Sequence, residues 1–355
     1  NFQVIPGNSA TLIKGNFAYS KYDITMKEDA FAARNSAIDG FNLGFNFTYF
    51  QRKNVVNYGI EVLGFQTKFN FRNAVDRLIE QDQSTSEFAA YVKYKWISKN
   101  ARLVLEPGFR VMYYATLGST SPEPRFAFKY NVSERFRIKG ATGIYSQNLI
   151  SAVSDRDVVS LFYGFLSGSD NLPQELTLPN GEIKEITHNL QKANHFIFGF
   201  EWEPLKKTTN GKLTVNVEGY LKDFTQLTNL NRNKIYEDEP QFIDEPDVLK
   251  KDFIVEIGKA YGVDFLLKYE YKNIYLWTAY SYGFVKRWDG IMEYRPHFDR
   301  RHNINFLAAW RFGKDGNWEL DTRWNFGSGF PFTPTQGFFE NISIGNVTTD
   351  YTQSN

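Results

Sequence analysis

The stretch Lys259–Trp288, KAYGVDFLLKYEYKNIYLWTAYSYGFVKRW, decides the fold. Tyr261, Val263, Phe265, Leu267, Tyr269 and Tyr271 occupy every second position. Gly262, Asp264, Lys268 and Glu270 lie between them, with Leu266 the only apolar intruder. Successive side chains of a β-strand point to opposite faces, so this alternation makes one apolar and one charged surface. A second strand is predicted after a turn at Lys272-Asn273-Ile274. Each strand exceeds the ~5–6 residues usual in soluble proteins, and about 9–11 tilted residues cross a bilayer. Aromatic residues crowd both ends of the apolar face. A long, aromatic-ended hairpin with a tight turn is the unit of a membrane β-barrel.

Composition agrees. The 355 residues include 41 basic and 40 acidic side chains, a net charge of +1, so nothing favours nucleic acid or an anionic surface. With 33 Phe and 21 Tyr the chain is aromatic, yet no apolar run approaches the ~18 residues of a membrane helix. That excludes a helical membrane protein and leaves a barrel, whose signal per strand is weak. Cysteine is absent, which removes disulfides, thiolate metal sites and a cysteine nucleophile. The opening Asn1-Phe2-Gln3-Val4 has neither the basic region nor the apolar core of a signal peptide. A leader removed beforehand, or a chain that is part of something longer, is the expectation.

Outward from the decisive hairpin, the same alternation recurs. Strands are predicted at Thr11–Thr25, Phe41–Gln51, Val55–Phe71, Glu87–Trp96, Arg102–Ala115, Arg125–Val132, Arg135–Gln147, His195–Glu203 and Lys212–Phe224 before it. Asn303–Phe312 and Asn317–Ser328 follow it, giving about thirteen. Short turns come after Gln51, Ile97, Val132, Pro204, Tyr271 and Phe312; every other connection is longer and more polar. The main polar loops are a stretch ending at Arg34, then Arg72–Ser86, Asn148–Gln191, Thr225–Lys251 and Asp289–Arg301, with a polar tail from Gly329. Outer-membrane barrels have this asymmetry, whereas sandwiches and propellers mix their turn lengths. The fold class is therefore an all-β, transmembrane antiparallel β-barrel, and the odd count suggests an internal piece of a larger one.

Chemistry for catalysis is lacking. His188, His195, His297 and His302 show no metal-ligand spacing, and there is no nucleophile elbow or phosphate loop. The acidic cluster Glu237, Asp238, Glu239, Asp244, Glu245 and Asp247 lacks the ordered calcium-loop pattern and reads as a solvated loop. No catalytic residue, metal or cofactor is expected. Lys93, Arg137, Lys139, Glu201, Glu218, Asp264 and Glu270 alternate with lipid-type residues and predict a charged lumen. Their mixed signs argue against an ion-selective channel. Trp202, Trp288, Trp310, Trp318 and Trp324 are read as interface or lipid-facing residues. Ligand contact is expected in the loops Ser151–Gln191 and Thr225–Lys251, with Phe162, Tyr163, Phe165 and Tyr236 as the aromatic candidates.

The segment RPHFDRRHNINFLAAWRFGKDGNWELDTRWNFGSGFPFTP, Arg295–Pro334, resembles the late barrel of TonB-dependent outer-membrane receptors. The type carrying a carboxypeptidase-regulatory-like N-terminal domain is the nearest likeness. The resemblance rests on Pro296, Asp299, Arg300 and His302, then on Trp318, Leu320, Trp324, Gly327, Gly329 and Pro331. Ala260, Gly262 and Asp264, Tyr280-Ser281-Tyr282 and Glu123-Pro124-Arg125 fit as well. It implies a 22-stranded barrel closed by an N-terminal plug and energised through TonB, of which residues 1–355 form part of the one barrel domain. Plug, TonB box and final strands are not in this chain, which would supply roughly strands seven to nineteen. The function implied is uptake of a scarce nutrient, whether a metal chelate, an oligosaccharide or a peptide, rather than enzymatic activity. The alternative is a non-transporting barrel acting as a scaffold or subunit of an outer-membrane complex. Implied partners are outer-membrane lipid, TonB through the missing N-terminal region, the small-molecule or oligomeric nutrient, and a surface lipoprotein or other complex partner, with no nucleic acid. The implied location is the Gram-negative outer membrane, with long loops outside and short turns in the periplasm.

Overall fold

The computed structural model describes residues 1–7, 9–28, 31–73, 77–151, 164–168, 171–205, 211–231, 233–331, 337–341 and 346–350. Its wall is one antiparallel sheet of 15 strands. In chain order these are β1 (Phe2–Val4), β2 (Thr11–Glu28), β3 (Phe31–Gln51), β4 (Asn54–Arg72), β5 (Leu78–Ile97), β6 (Leu103–Tyr114) and β7 (Ser119–Asn131). There follow β8 (Phe136–Gln147), β9 (Gln191–Trp202), β10 (Lys212–Leu230), β11 (Phe253–Tyr271), β12 (Ile274–Trp288), β13 (His302–Phe312) and β14 (Trp318–Gly327). Each pairs with its sequence neighbours, and the two-residue strand Glu293–Tyr294 adds to the end of β12. Leaving aside β1, thirteen long strands form the wall, as predicted. The path is open, with no pairing between β1 and β14 among the described residues. No helix among them is long and apolar enough to cross a membrane, which says nothing against crossing by strands.

The decisive hairpin is β11 and β12, in register from Ile257 opposite Trp288 to Tyr271 opposite Ile274. Its turn is Lys272-Asn273, one residue shorter than predicted. Lys272 sits at φ 47°, and the other non-glycine residues at positive φ among the described residues are Arg52, Ala101 and Asp315. All four occupy short turns, where the left-handed geometry matches the twist of the flanking strands. The outward face of β11 holds Tyr261, Phe265 and Leu267, each about two-fifths exposed. Inward, Tyr220 of β10 lies across Gly262 and Gly283, and a β-carbon on either glycine would come within 2.9 Å of its hydroxyl. These two glycines, Gly262 of the motif and Gly283, therefore make room for one ring.

Strand ends differ from the sequence expectation on the long-loop side. The predicted loop ending at Arg34 is mostly strand, since β2 runs to Glu28 and β3 starts at Phe31. Likewise β5 starts at Leu78 rather than Glu87, β7 at Ser119 rather than Arg125, and β10 runs to Leu230. At ~3.3 Å per residue the 21 residues of β3 span about 70 Å, far more than the ~25 Å apolar band of an outer-membrane barrel. Beyond that band both faces meet water or protein, so the apolar–polar alternation stops while the hydrogen-bond ladder continues. The parity of turns and loops thus becomes one of tight turns against overshooting strands. Trp96, Trp202, Trp310 and Trp318 lie exposed near the short turns and form an aromatic belt. Beyond β14, 337–341 and 346–350 pair as a hairpin within the predicted polar tail.

Candidate functional site

The inner face of the wall carries paired charges. Arg137 bridges Glu201 and Glu203 across β8 and β9, the latter at 3.2 Å. Lys139 pairs with Glu218, Lys93 with Glu106 at 3.2 Å, and Arg110 with Glu61 at 3.3 Å. Of the predicted lumen charges, Lys93, Arg137, Lys139, Glu201 and Glu218 each have an opposite-sign neighbour on this face, which solvates it with little net field.

On the long-loop side, the described parts of the segment between β8 and β9, 148–151, 164–168 and 171–190, form a strap against the inner faces of the wall. Strand Leu149–Ser151 pairs with Phe165–Ser167, and the latter is fastened to the inner faces of β3, β4 and β5. Phe165 N donates to Ser36 Oγ at 2.9 Å, and Ser167 N to Gln81 Oε1 at 3.3 Å. The Ser167 hydroxyl, fully buried, meets Thr67 Oγ1 at 2.9 Å and Thr85 Oγ1 at 3.1 Å. One apolar core joins Phe69, Phe71 and Ile79 of β4 and β5 to Leu230, Phe253 and Val255 of β10 and β11. Ile150, Leu166, Leu172 and Leu176 of the strap complete it. A wall with only lipid outside and water inside has no need of such a core. It exists because the strap packs against both groups of strands.

Polar ties run the same way. Asn171 Nδ2 donates to Asp252 at 3.1 Å, and the indole N–H of Trp288 to Thr177 O at 2.7 Å. Trp288 is thus tied to the strap. Lys234, almost fully buried, contacts Asp252 and Glu237, each at 2.8 Å, while Asn73 Nδ2 donates to its carbonyl at 2.7 Å. Burial opposes the Lys234 charge, but its hydrogen bonds to Asp252 and Glu237 prevail and raise its pKa. Asp238 and Asp247 pair with Lys251 and Lys250, so much of the acidic cluster is ion-paired rather than simply solvated. Burial lowers the pKa of Lys184, whose ammonium donates to Thr225 O at 2.6 Å. Burial, then the charges of Lys192 and Lys184, lowers that of His188.

Of the aromatic candidates, Phe165 packs edge-on against Tyr22 at 5.6 Å. Tyr236 stacks on Phe242 at 4.8 Å within its own loop. The structure gives these two different ring partners; Phe162 and Tyr163 lie outside the described residues. His302 starts β13, its Nδ1 at 2.9 Å from the Tyr280 hydroxyl, and His297 lies edge-on to Phe298.

Motif residues prove to be fasteners. Arg300 stacks on Phe330 at 4.1 Å and occupies the space over Gly327, where a β-carbon would meet its guanidinium at 2.2 Å. Glu123 accepts from Arg125 at 2.6 Å and from Ser146 N at 2.9 Å.

Beneath the root of the strap lies a chamber of about 480 Å³ between Asn148, Leu149 and the inner faces of β2 to β6. Glu87, Arg110 and Asn148 line it together with Leu63, Phe65 and Met112. Sequence reading missed it because its residues come from the wall as well as the loop. The one available signal was Glu87, an acidic residue on the inward side of the strand it opened.

No protein-family model matches the sequence, and no curated protein matches it. Solved structures do. The FrpB iron transporter of Neisseria meningitidis (F5-1 variant, apoprotein) superposes with a TM-score of 0.60 at 12% identity, over 90% of this chain and 50% of that one. FpvA of P. aeruginosa, solved with a heterologous pyoverdine and iron, gives 0.58 at 10% identity, over 98% and 47%. The alcaligin outer-membrane receptor FauA of Bordetella pertussis gives 0.54 at 12% identity, over 90% and 51%. The chain spans about half the length of the solved structures it matches. Its fold is that of the barrel wall of TonB-dependent outer-membrane receptors.

Proposed function

We propose that this chain is barrel wall and outer mouth of an outer-membrane receptor that takes up a scarce nutrient. The observation that carries it is the strap. A wall with the receptor-barrel fold carries, packed against it on the long-loop side, a segment that completes a core of its own. In that placement the short turns face the periplasm and the overshooting strands face outward. Phe165 and Tyr236 belong to the two long segments on this side, which supports them as ligand-contact candidates; Phe162 and Tyr163 stay candidates on the sequence alone. The nutrient is a metal chelate, an oligosaccharide or a peptide; of the similar structures, FrpB is named an iron transporter, FauA an alcaligin receptor, and FpvA is solved with pyoverdine and iron. Energy reaches the barrel through a TonB contact elsewhere in the full-length protein. Deleting the gene tests the proposal. Cells should lose growth on one limiting nutrient of these classes and regain it with the full-length gene. Growth unaffected across all three classes contradicts it.

A further inference from the structure

Charges on the inner face and on the long-loop side come as opposite-sign pairs, as at Arg137–Glu203 and Lys251–Asp238. The short-turn end departs from this. Three successive short turns, 52–53, 98–102 and 132–135, hold Arg52, Lys53, Lys99, Arg102 and Arg135 against a single acid, Glu134. All five basic side chains are exposed, and none makes an ion pair among the described residues. Hydrogen bonds between neighbouring turns keep them side by side. Lys53 Nζ donates to Ser98 O at 2.6 Å, Asn131 N to Arg102 O at 2.7 Å, and Glu203 N to Arg135 O at 2.8 Å. The turns thus form one continuous basic arc in a chain whose net charge is only +1. Like charges gathered without partners repel one another, so the arc does nothing for the fold and suits an anionic partner.

We infer that this arc binds the phosphate headgroups of anionic phospholipid. Depth fixes the partner. Trp96, Tyr130 and Trp202 are exposed on the outward face beside these turns, and such rings settle where hydrocarbon meets headgroups. Lys99 lies three residues beyond Trp96, at most ~10 Å of extended chain. The headgroup layer is roughly 5–8 Å deep on each side of the hydrocarbon core. The basic groups therefore stand at or just beyond the phosphates, within the ~8 Å over which charges act at physiological salt. Arg102 and Arg135 offer planar forks that suit phosphate oxygens, while Lys99 acts as a point charge. In the placement proposed above, the lipid is that of the periplasmic leaflet. The inference goes beyond nutrient uptake and requires only that the wall crosses a bilayer.

The test is electron spin resonance of the full-length protein in phosphatidylcholine vesicles carrying a trace of spin-labelled phosphatidylglycerol or spin-labelled phosphatidylcholine. The motionally restricted fraction should favour phosphatidylglycerol, by about fivefold for a headgroup held on one basic side chain. Raising the salt should shrink the preference. Replacing Lys99, Arg102 and Arg135 together by Gln should abolish most of it. Replacing Lys21, Lys68 and Lys259 by Gln, which removes the same charge from exposed strand positions away from these turns, should leave it in place. Heat-modifiable gel mobility checks that each variant still folds. Equal restriction of the two lipids by folded protein, or a preference that the two variants lose alike or both keep, overturns the inference. None of these outcomes touches the growth phenotype, so the uptake proposal stands or falls separately.

Discussion

The carboxylate of Asp299 accepts the backbone amide of Val285 at 2.9 Å and the guanidinium of Arg301 at 2.5 Å, while itself almost fully buried. β13 begins only at His302, opposite Tyr282, and the short strand Glu293–Tyr294 pairs only with Arg287 and Trp288, so 283–286 of β12 have no strand on that side. Arg301 O receives Gly283 N at 3.1 Å, and Asp299 then supplies the next acceptor. A motif that reads as a family signature is thus a side chain standing in for a missing ladder carbonyl. Asp299→Ala strands a buried amide and an arginine, for which about 3–5 kcal/mol is the expected cost. Asp299→Asn, which keeps an acceptor, should lose less. Thermal unfolding of the two variants in detergent, followed by gel mobility, checks the order; equal loss sinks the account of the motif.

Tyr220 depends on two glycines. A methyl at position 262 would meet the Tyr282 carbonyl at 2.4 Å and the Tyr220 hydroxyl at 2.9 Å. Overpacking of this kind costs roughly 1–3 kcal/mol. Gly262→Ala should therefore lower the unfolding midpoint. Combining it with Tyr220→Phe should restore only part of the loss, because the carbonyl clash remains. Full restoration would show that the carbonyl contact is irrelevant.

One buried hydroxyl of the strap joins it to two wall strands. Ser167→Ala removes the shared partner of Thr67 and Thr85, both buried, and each hydroxyl left unsatisfied costs about 1–3 kcal/mol. Because those groups lie on β4 and β5, the loss should appear locally, as faster backbone hydrogen exchange in 164–168 with β9 to β14 unchanged. Exchange unaltered at the strap contradicts the anchoring.

His188 makes the strap sensitive to acid. Its ordinary value is 6.5, and in the folded strap it is lower. Above the ordinary value both states are neutral and nothing depends on pH. Below it the unfolded strap takes up the proton more readily, so stability is lost as pH falls through the lowered folded value. The charges of Lys192 and Lys184 add to the effect. Hydrogen exchange of 183–190, corrected for intrinsic rates, should open more at about pH 5.5 than at about pH 7.5. A His188→Gln variant should lose that difference, and an equal difference in the variant would assign it to another group.

Much of the wall was legible because bilayer-facing strands must alternate. Phe265 and Leu267 face outward and Asp264 inward, as period two requires. The overshooting ends of β2, β3, β5 and β10 were not legible, because strands outside the apolar band lose the alternation that identifies them. Nor was the strap. Leu166 and Leu172 give no periodic signal, and their partners Phe69 and Phe253 are separated from them by long stretches of sequence. Pairing across such distances leaves no trace in local pattern. The aromatic candidates were chosen by residue type and loop position alone, whereas Glu87, Arg110 and Asn148 are neighbours only once β5, β6 and the strap are folded.

The central claim, a bilayer-crossing wall with one lipid face, is met most directly by a spin-label scan along 261–270 of the full-length protein in liposomes. The account predicts that labels at Tyr261, Val263, Phe265, Leu267 and Tyr269 are reached by dissolved oxygen and shielded from a water-soluble paramagnetic reagent. Labels at Gly262, Asp264, Leu266, Lys268 and Glu270 should be shielded from oxygen. Accessibility without alternation, or with the two sets exchanged, would contradict it.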